Sequence, residues 1–344
     1  MKALVLEDIG KIVYKEIPTP KPGKGEVLLK IKNCGICSSD KDRIFKNGTY
    51  HFPTVPGHEF SGEIVELGQG VNPELLGRRA GVYPLLPCRQ CAPCRSERYA
   101  QCEHYSYYGS RCDGAFAEYI SVPVFNINLV PDDLDYRAAA MCEPAAVALH
   151  ALRRGKMKKG DVVAIVGTGT IAILAAKIAR ILGAYKVILI GRTRDKVKYA
   201  SQYSDHVVNS SIWDPEEAIR EFTEGGMADV VLECAGNSDA VLTAMRVVAR
   251  GGNIVIVGNP VEDVNIKKDV FWRILRGELN IRGTWNSSYS STVNDWKSVI
   301  SMMSDGSLDP TNLITHVYKL EESQEAFATL MGNGLYTKIM FEMD

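Results

Sequence analysis

The chain has 344 residues, with 40 basic against 41 acidic side chains and a net charge of −1. At about 150 residues per domain this length predicts two domains sharing one cleft. The charge balance leaves no basic block to follow a phosphate backbone, and no run of about 18 apolar residues occurs, so neither nucleic acid nor a membrane is expected as a partner. Lys2, Glu7 and Asp8 interrupt what would have to be an apolar signal segment, which predicts a soluble cytoplasmic protein.

In chain order, the first chemistry is Cys37 in GICSSD, followed by His58 and Glu59 in GHE and, much later, Glu143 in MCEP. Cys, His and Glu make a three-ligand set that leaves a fourth position open for water or a substrate oxygen, the arrangement of a catalytic zinc. Taken singly each is weak, since a lone His is more often structural and a lone Glu more often a surface carboxylate. Between them lies LPCRQCAPCRSERYAQC, where Cys88, Cys91, Cys94 and Cys102 follow C-x-x-C-x-x-C-x7-C. Four thiolates at that spacing close a tetrahedral shell and leave no place for substrate, which reads as a structural zinc. Arg89, Arg95 and Arg98 are interleaved where they would offset the negative charge of such a site. Cys34, Cys112, Cys142 and Cys234 have no neighbour at ligand spacing and read as small buried hydrophobes.

From residue 161, DVVAIVGTGTIAILAAKIARILGAYKVILIGR reads as a buried strand, a glycine turn, a helix with apolar Ile171, Leu174, Ala175, Ile178 and Leu182, and a second buried strand. Further strands are expected at 206–208, 228–234, 253–257 and 279–284, with helices near 215–224, 238–248 and 268–276. Six strands alternating with helices predict a doubly wound α/β sheet. In the turn Gly167-Thr168-Gly169-Thr170-Ile171-Ala172, Gly167 permits the bend, Gly169 lets backbone approach a pyrophosphate, and Ala172 is the third small residue. An NAD site usually places an acid about 20 residues further on to accept from the adenine ribose. Gly191 stands there instead, followed by Arg192, Thr193 and Arg194. Loss of the carboxylate and gain of two guanidinium groups favour the 2′-phosphate of NADP, with NAD as the alternative. The competing reading is that both arginines are solvated and Asp195 pairs one of them.

The segment GHEFSGEIVELGQGV, residues 57–71, matches the zinc signature G-H-E-x2-G-x5-G-x2-V of the medium-chain alcohol dehydrogenases, with Gly62, Gly68 and Val71 in register. The chain resembles that family over essentially its whole length. Within it, IFKNG at 44–48, GSRCDGAFAEY at 109–119 and GTWN at 283–286 look most like the galactitol-1-phosphate 5-dehydrogenase branch of the polyol and polyol-phosphate dehydrogenases. The resemblance implies a GroES-like, mainly β catalytic domain of residues 1–147 and 287–344 around a Rossmann cofactor domain of 148–286. It implies two zinc ions per chain, NADP or NAD, and a homodimer or homotetramer joined through the edges of the nucleotide sheet. Ser39 matches the family's relay hydroxyl and Asp40 the carboxylate that orients a zinc ligand, whereas His51 is not offset as a relay histidine would be.

Two carboxylates on the metal beside Cys37 would make it net negative, so Glu59 and Glu143 are expected to exchange with water or substrate. The implied reaction is hydride transfer from a secondary hydroxyl of a sugar alcohol phosphate, giving the keto sugar phosphate; unphosphorylated polyols or secondary alcohols are the alternative. Lys41, Arg43 and Lys46 are candidates for the phosphate, and Trp285 and Asn286 for the rim of the site. A catalytically silent nucleotide-binding zinc protein would share the fold, but the intact Cys37, Ser39, His58 and Glu59 argue against it.

Overall fold

The eleven-residue run Glu26–Ile36, buried along most of its length, becomes the central strand of a seven-stranded, mainly antiparallel sheet in this computed structural model, which describes residues 1–260 and 262–344. It pairs with Glu59–Leu67 on one side, with Lys338–Glu342 on the other, and with Tyr119–Pro123 along its first half. The register sets Gly35 opposite both Glu59 and Met340 and Ile36 opposite Ile339. A stretch near residue 59 and one near residue 338 are thereby delivered to either side of the strand end that leads into Cys37. Leu29, Ile31, Phe60, Ile64, Phe116 and Phe341 form the core around this sheet, with the Phe116 and Phe341 rings edge-to-face at 5.0 Å. Gly62 is required by close approach, because a Cβ there would lie 2.1 Å from the Lys30 carbonyl oxygen.

Residues 144–287 form a second unit around a six-stranded parallel sheet. Its strands run in the order His206–Asn209, Lys186–Gly191, Val162–Val166, Ala228–Glu233, Val248–Ile256, Asn280–Gly283. Numbered along the chain that is 3-2-1-4-5-6, the doubly wound order. The expected helices form at Pro215–Phe222, Ser238–Val247 and Lys268–Gly277, and the Asp214 carboxylate caps the first by accepting the Glu216 and Glu217 N–H groups. The strand expected at 253–257 begins earlier, at Val248, with an irregular register opposite Ala228–Val230. The other unit comprises Met1–Glu143 and Ser288–Asp344, against expected boundaries of 147/148 and 286/287. Among the described residues no helix is long and apolar enough to cross a membrane.

Candidate active site and metal centres

Cys37 directly follows the central strand and caps the short helix Ser38–Asp42. His58 directly precedes, and Glu59 begins, the neighbouring strand. Together they bring a sulfur, an imidazole nitrogen and a carboxylate oxygen within 4.8 Å of one another. Gly35 makes room for this, since a Cβ there would lie 2.4 Å from Glu59 Oε2.

Asp40 is fully buried and serves three neighbours. Its Oδ2 accepts the Cys37 N–H at 3.0 Å, while Oδ1 lies 3.2 Å from His58 Nδ1 and 3.3 Å from Arg43 Nη1. Burial opposes its charge, but His58, Arg43 and the Cys37 N–H outweigh that and hold its carboxyl below the usual range. The 3.2 Å approach of His58 Nδ1 to Asp40 is not an aligned hydrogen bond, but it occupies the Nδ1 side of the ring and leaves His58 Nε2 to serve as a ligand atom. Burial works against the imidazolium too, yet Asp40 and Cys37 raise the His58 pKa well above its ordinary value.

Lys338 completes the other side. Its Nζ donates to Glu59 Oε2 at 2.5 Å and to the Ile36 carbonyl at 3.2 Å, and both ends of the ion pair are buried. Sequence reasoning missed this residue, which lies 279 positions from its partner. Burial disfavours its charge, but Glu59 and Cys37 raise its pKa, so it remains an ammonium. Glu143 falls outside the close trio. It is buried, Tyr107 donates to its Oε1 at 3.4 Å, and burial followed by the Glu59 charge pushes its carboxyl up to about 7. The Tyr107 ring also lies 5.5 Å from the His58 ring.

The charged residues offered for a phosphate are partly engaged. Arg43 Nη1 donates to Ser39 Oγ at 3.0 Å as well as facing Asp40, and Lys46 pairs with Asp42 one helical turn away at 3.2 Å. His51 is an exposed loop residue whose Nδ1 lies 3.1 Å from the Pro53 carbonyl. In the other unit, Trp285 is 47% exposed and Asn286 adopts φ 55, its amide oxygen accepting the Ser287 N–H.

The four other cysteines at ligand spacing are also gathered, with their sulfurs within 4.8 Å of one another. Cys88 and Cys94 Sγ are 3.9 Å apart, as are Cys91 and Cys102 Sγ. A tetrahedron with Zn–S bonds of about 2.3 Å has edges of about 3.8 Å, so this donor set fits zinc and is far too open for disulfides. Two of the three interleaved arginines direct their guanidinium groups away from the sulfurs. Arg89 lies over the Phe125 ring at 4.1 Å and Arg95 donates to the Gln90 carbonyl. Backbone N–H groups reach the sulfurs instead, Cys88 to Cys102 at 3.3 Å, Gln90 to Cys88 at 3.5 Å and Cys91 to Cys88 at 3.4 Å. The Gln90 and Cys91 N–H groups pull the Cys88 thiol down to about 6. Among the remaining cysteines Cys34 and Cys142 are buried, and Cys112 and Cys234 half-buried.

In the nucleotide unit Gly167 follows the strand Val162–Val166 at φ 133, and Gly169 caps the helix Thr170–Ile181. A Cβ on Gly169 would meet nothing within 4 Å, so packing does not demand glycine there. An approaching pyrophosphate would, because the first-turn N–H groups around Thr170 and Ile171 have no helical acceptors. Ala172 is buried against the sheet. At Gly191 an added Cβ would lie 2.6 Å from Thr168 Cγ2 and 2.9 Å from Val197 Cγ2, so Thr168 fills the space an acidic side chain would enter. Arg192, Thr193 and Arg194 are exposed, Thr193 capping the helix Arg194–Ala200. Among the described residues neither guanidinium forms an ion pair, with Asp195 or any other acid.

Residues 23–132 match the model of the alcohol dehydrogenase GroES-like domain and residues 167–305 that of the zinc-binding dehydrogenases. The chain is 33% identical to galactitol 1-phosphate 5-dehydrogenase of Escherichia coli (strain K12) over 99% of both chains. The chain belongs to the zinc-binding medium-chain dehydrogenases. As such it is a zinc-dependent, NAD(P)-dependent alcohol or polyol dehydrogenase. Sorbitol dehydrogenase of Halalkalibacterium halodurans is as near, at 34% identity over 95% of both chains. Two solved structures extend the likeness to the fold: a zinc-binding dehydrogenase from Sinorhizobium meliloti 1021 bound to NADP, with a TM-score of 0.92, 30% identity and 99% of both chains covered; and an Escherichia coli CFT073 alcohol dehydrogenase complexed with NADH, with a TM-score of 0.91, 26% identity and 100% and 99% covered.

Proposed function

We propose that this family member is an NADP-linked dehydrogenase of a sugar alcohol phosphate resembling galactitol 1-phosphate, oxidising a secondary hydroxyl to the keto sugar phosphate. The observation that carries the chemistry is the trio of half-buried Cys37 with buried His58 and Glu59, braced by Asp40 on one side and Lys338 on the other. These three would hold the catalytic zinc, and Glu143, which lies outside the trio, would exchange with Glu59. When bound, zinc supplies a Lewis acid for the substrate oxygen and the nicotinamide a hydride acceptor. The chain's own residues do the rest. Asp40 fixes the His58 ring and the Cys37 backbone. Lys338 offsets the Glu59 charge, so a carboxylate near the metal does not oppose development of negative charge on the substrate oxygen. Ser39 takes the hydroxyl proton and passes it on.

The NADP preference rests on Gly191 in place of an acid and on two exposed, unpaired arginines beside it. Cys88, Cys91, Cys94 and Cys102 would hold a second, structural zinc. A homodimer or homotetramer would join through the edge strand Asn280–Gly283, near which Trp272, Leu275 and Ile281 are exposed. A dehydrogenase of unphosphorylated polyols is the second reading, favoured by the engagement of Arg43 and Lys46 with side chains of their own helical segment. The test is steady-state reduction of NADP⁺ and NAD⁺ by zinc-loaded protein with galactitol 1-phosphate and with galactitol. A much higher kcat/KM for the phosphate ester supports the first reading; equal or better turnover of the free polyol replaces it with the second.

A further inference from the structure

We propose that Arg43 is a positioning residue that fixes the direction in which Ser39 relays the substrate proton; this rests on the dehydrogenase reading above. A serine hydroxyl has one hydrogen to donate and two lone pairs to accept with. Arg43 Nη1, 3.0 Å from Ser39 Oγ, can only donate, so it occupies one lone pair and the hydroxyl hydrogen must turn away from it. What remains is one acceptor site and one donated hydrogen, the arrangement a relay needs to take a proton from one group and hand its own to another.

Two further features hold the guanidinium in place. The same Nη1 lies 3.3 Å from Asp40 Oδ1, a fully buried carboxylate already fixed by the Cys37 N–H and His58. The helix Ser38–Asp42 also gives way at Arg43 to a wider π-type turn, Arg43–Asn47, whose first N–H is shared between the Ser39 and Asp40 carbonyls. Single wide turns of this kind re-aim a side chain at the cost of a regular ladder, and they concentrate at functional sites. Arg43 thus connects the metal-orienting carboxylate to the relay hydroxyl, a role different from binding a substrate phosphate.

The experiment is a double-mutant cycle on zinc-loaded protein with Ser39→Ala, Arg43→Met and the double variant, plus Arg43→Lys. kcat, KM and metal content are measured for galactitol 1-phosphate and for galactitol. Arg43→Met is expected to lower kcat by about tenfold or more with either polyol, as for loss of proton-transfer geometry, with little change in KM or bound zinc. Arg43→Lys should recover part of the loss. In the Ser39→Ala background Arg43→Met should cost almost nothing further, because its effect runs through that hydroxyl. Multiplicative losses in the double variant overturn the inference. So does a loss confined to KM for the phosphate ester, which would make Arg43 a substrate-phosphate ligand, and so does a loss that tracks missing zinc, which would make it a support for Asp40 alone. A wild-type chain silent with every polyol and both cofactors would overturn the dehydrogenase reading and this inference together, a pattern distinct from an active wild type with multiplicative losses.

Discussion

Replacing Lys338 by Met tests whether the ion pair behind Glu59 is a principal support of the site. Met keeps most of the length and volume of the lysine stem, so packing changes little. What changes is the charge: Glu59 is only 2% exposed, and Nζ at 2.5 Å is the cation that compensates it. Removing one partner of a buried pair strands the other, at a cost of about 3–5 kcal/mol. For a folding unit of roughly 200 residues each kcal/mol moves Tm by about 2–4 °C, so the unit holding the site should melt roughly 6–20 °C lower. Metal-stripped protein is the right sample, because a bound cation would otherwise take over the role of Lys338. Thermal and urea unfolding of wild type, Lys338→Met, Glu59→Gln and the double variant give the cycle. Glu59→Gln in the Lys338→Met background should restore most of the loss, since no buried charge is then left unpaired. A Lys338→Met variant within about 1 kcal/mol of wild type, or a double variant no better than the single, would refute the reasoning.

Three further expectations follow from the geometry. Burial raises the Glu143 carboxyl from 4.5 to about 7 in the folded chain; the contribution of Glu143 to stability is therefore full below about pH 4.5 and is lost as pH rises from there through 7, by about 3 kcal/mol. Metal-free Glu143→Gln should accordingly be more stable than wild type at pH 8 and equal to it near pH 4.5, as read by urea midpoints. Replacing Arg192 and Arg194 together by Ala should cut kcat/KM for NADP⁺ about tenfold or more, since each charge-assisted bond to a phosphate contributes about 1.5–3 kcal/mol, and leave NAD⁺ kinetics unchanged; equal loss with both cofactors would remove the 2′-phosphate argument. Gly169→Ala should fold with stability within about 0.5 kcal/mol of wild type, because its Cβ meets nothing. The same variant should bind cofactor more weakly in a fluorescence titration, which separates a ligand-driven glycine from one required by packing such as Gly62.

The alternation and punctuation of the chain made most of the fold legible. The strand, glycine turn and helix from residue 161 were readable because a parallel sheet buries whole apolar runs and leaves its turns to glycine. The four-cysteine lobe was readable because ligand spacing is local. Lys338 was not, because its significance comes from register: Ile339 opposite Ile36 and Glu59 opposite Gly35 bring together residues from distant parts of the chain, and nothing in YTKIMFE announces an acidic partner. Side-chain direction was equally hidden in the lobe, where Arg89 and Arg95 turn to Phe125 and the Gln90 carbonyl and backbone N–H groups reach the sulfurs.

The same distinction bears on the two carboxylates. Residue type puts Glu59 and Glu143 on an equal footing as ligands, but their neighbours separate them. Glu59 is paired with the Lys338 ammonium, and a carboxylate is the form a metal takes as a ligand. Glu143 is buried near the Glu59 charge, which together favour its proton against the opposing Tyr107 hydroxyl, so in the metal-free chain it must first give that proton up. If the two exchange at the metal, each exchange is therefore linked to a proton leaving or joining Glu143.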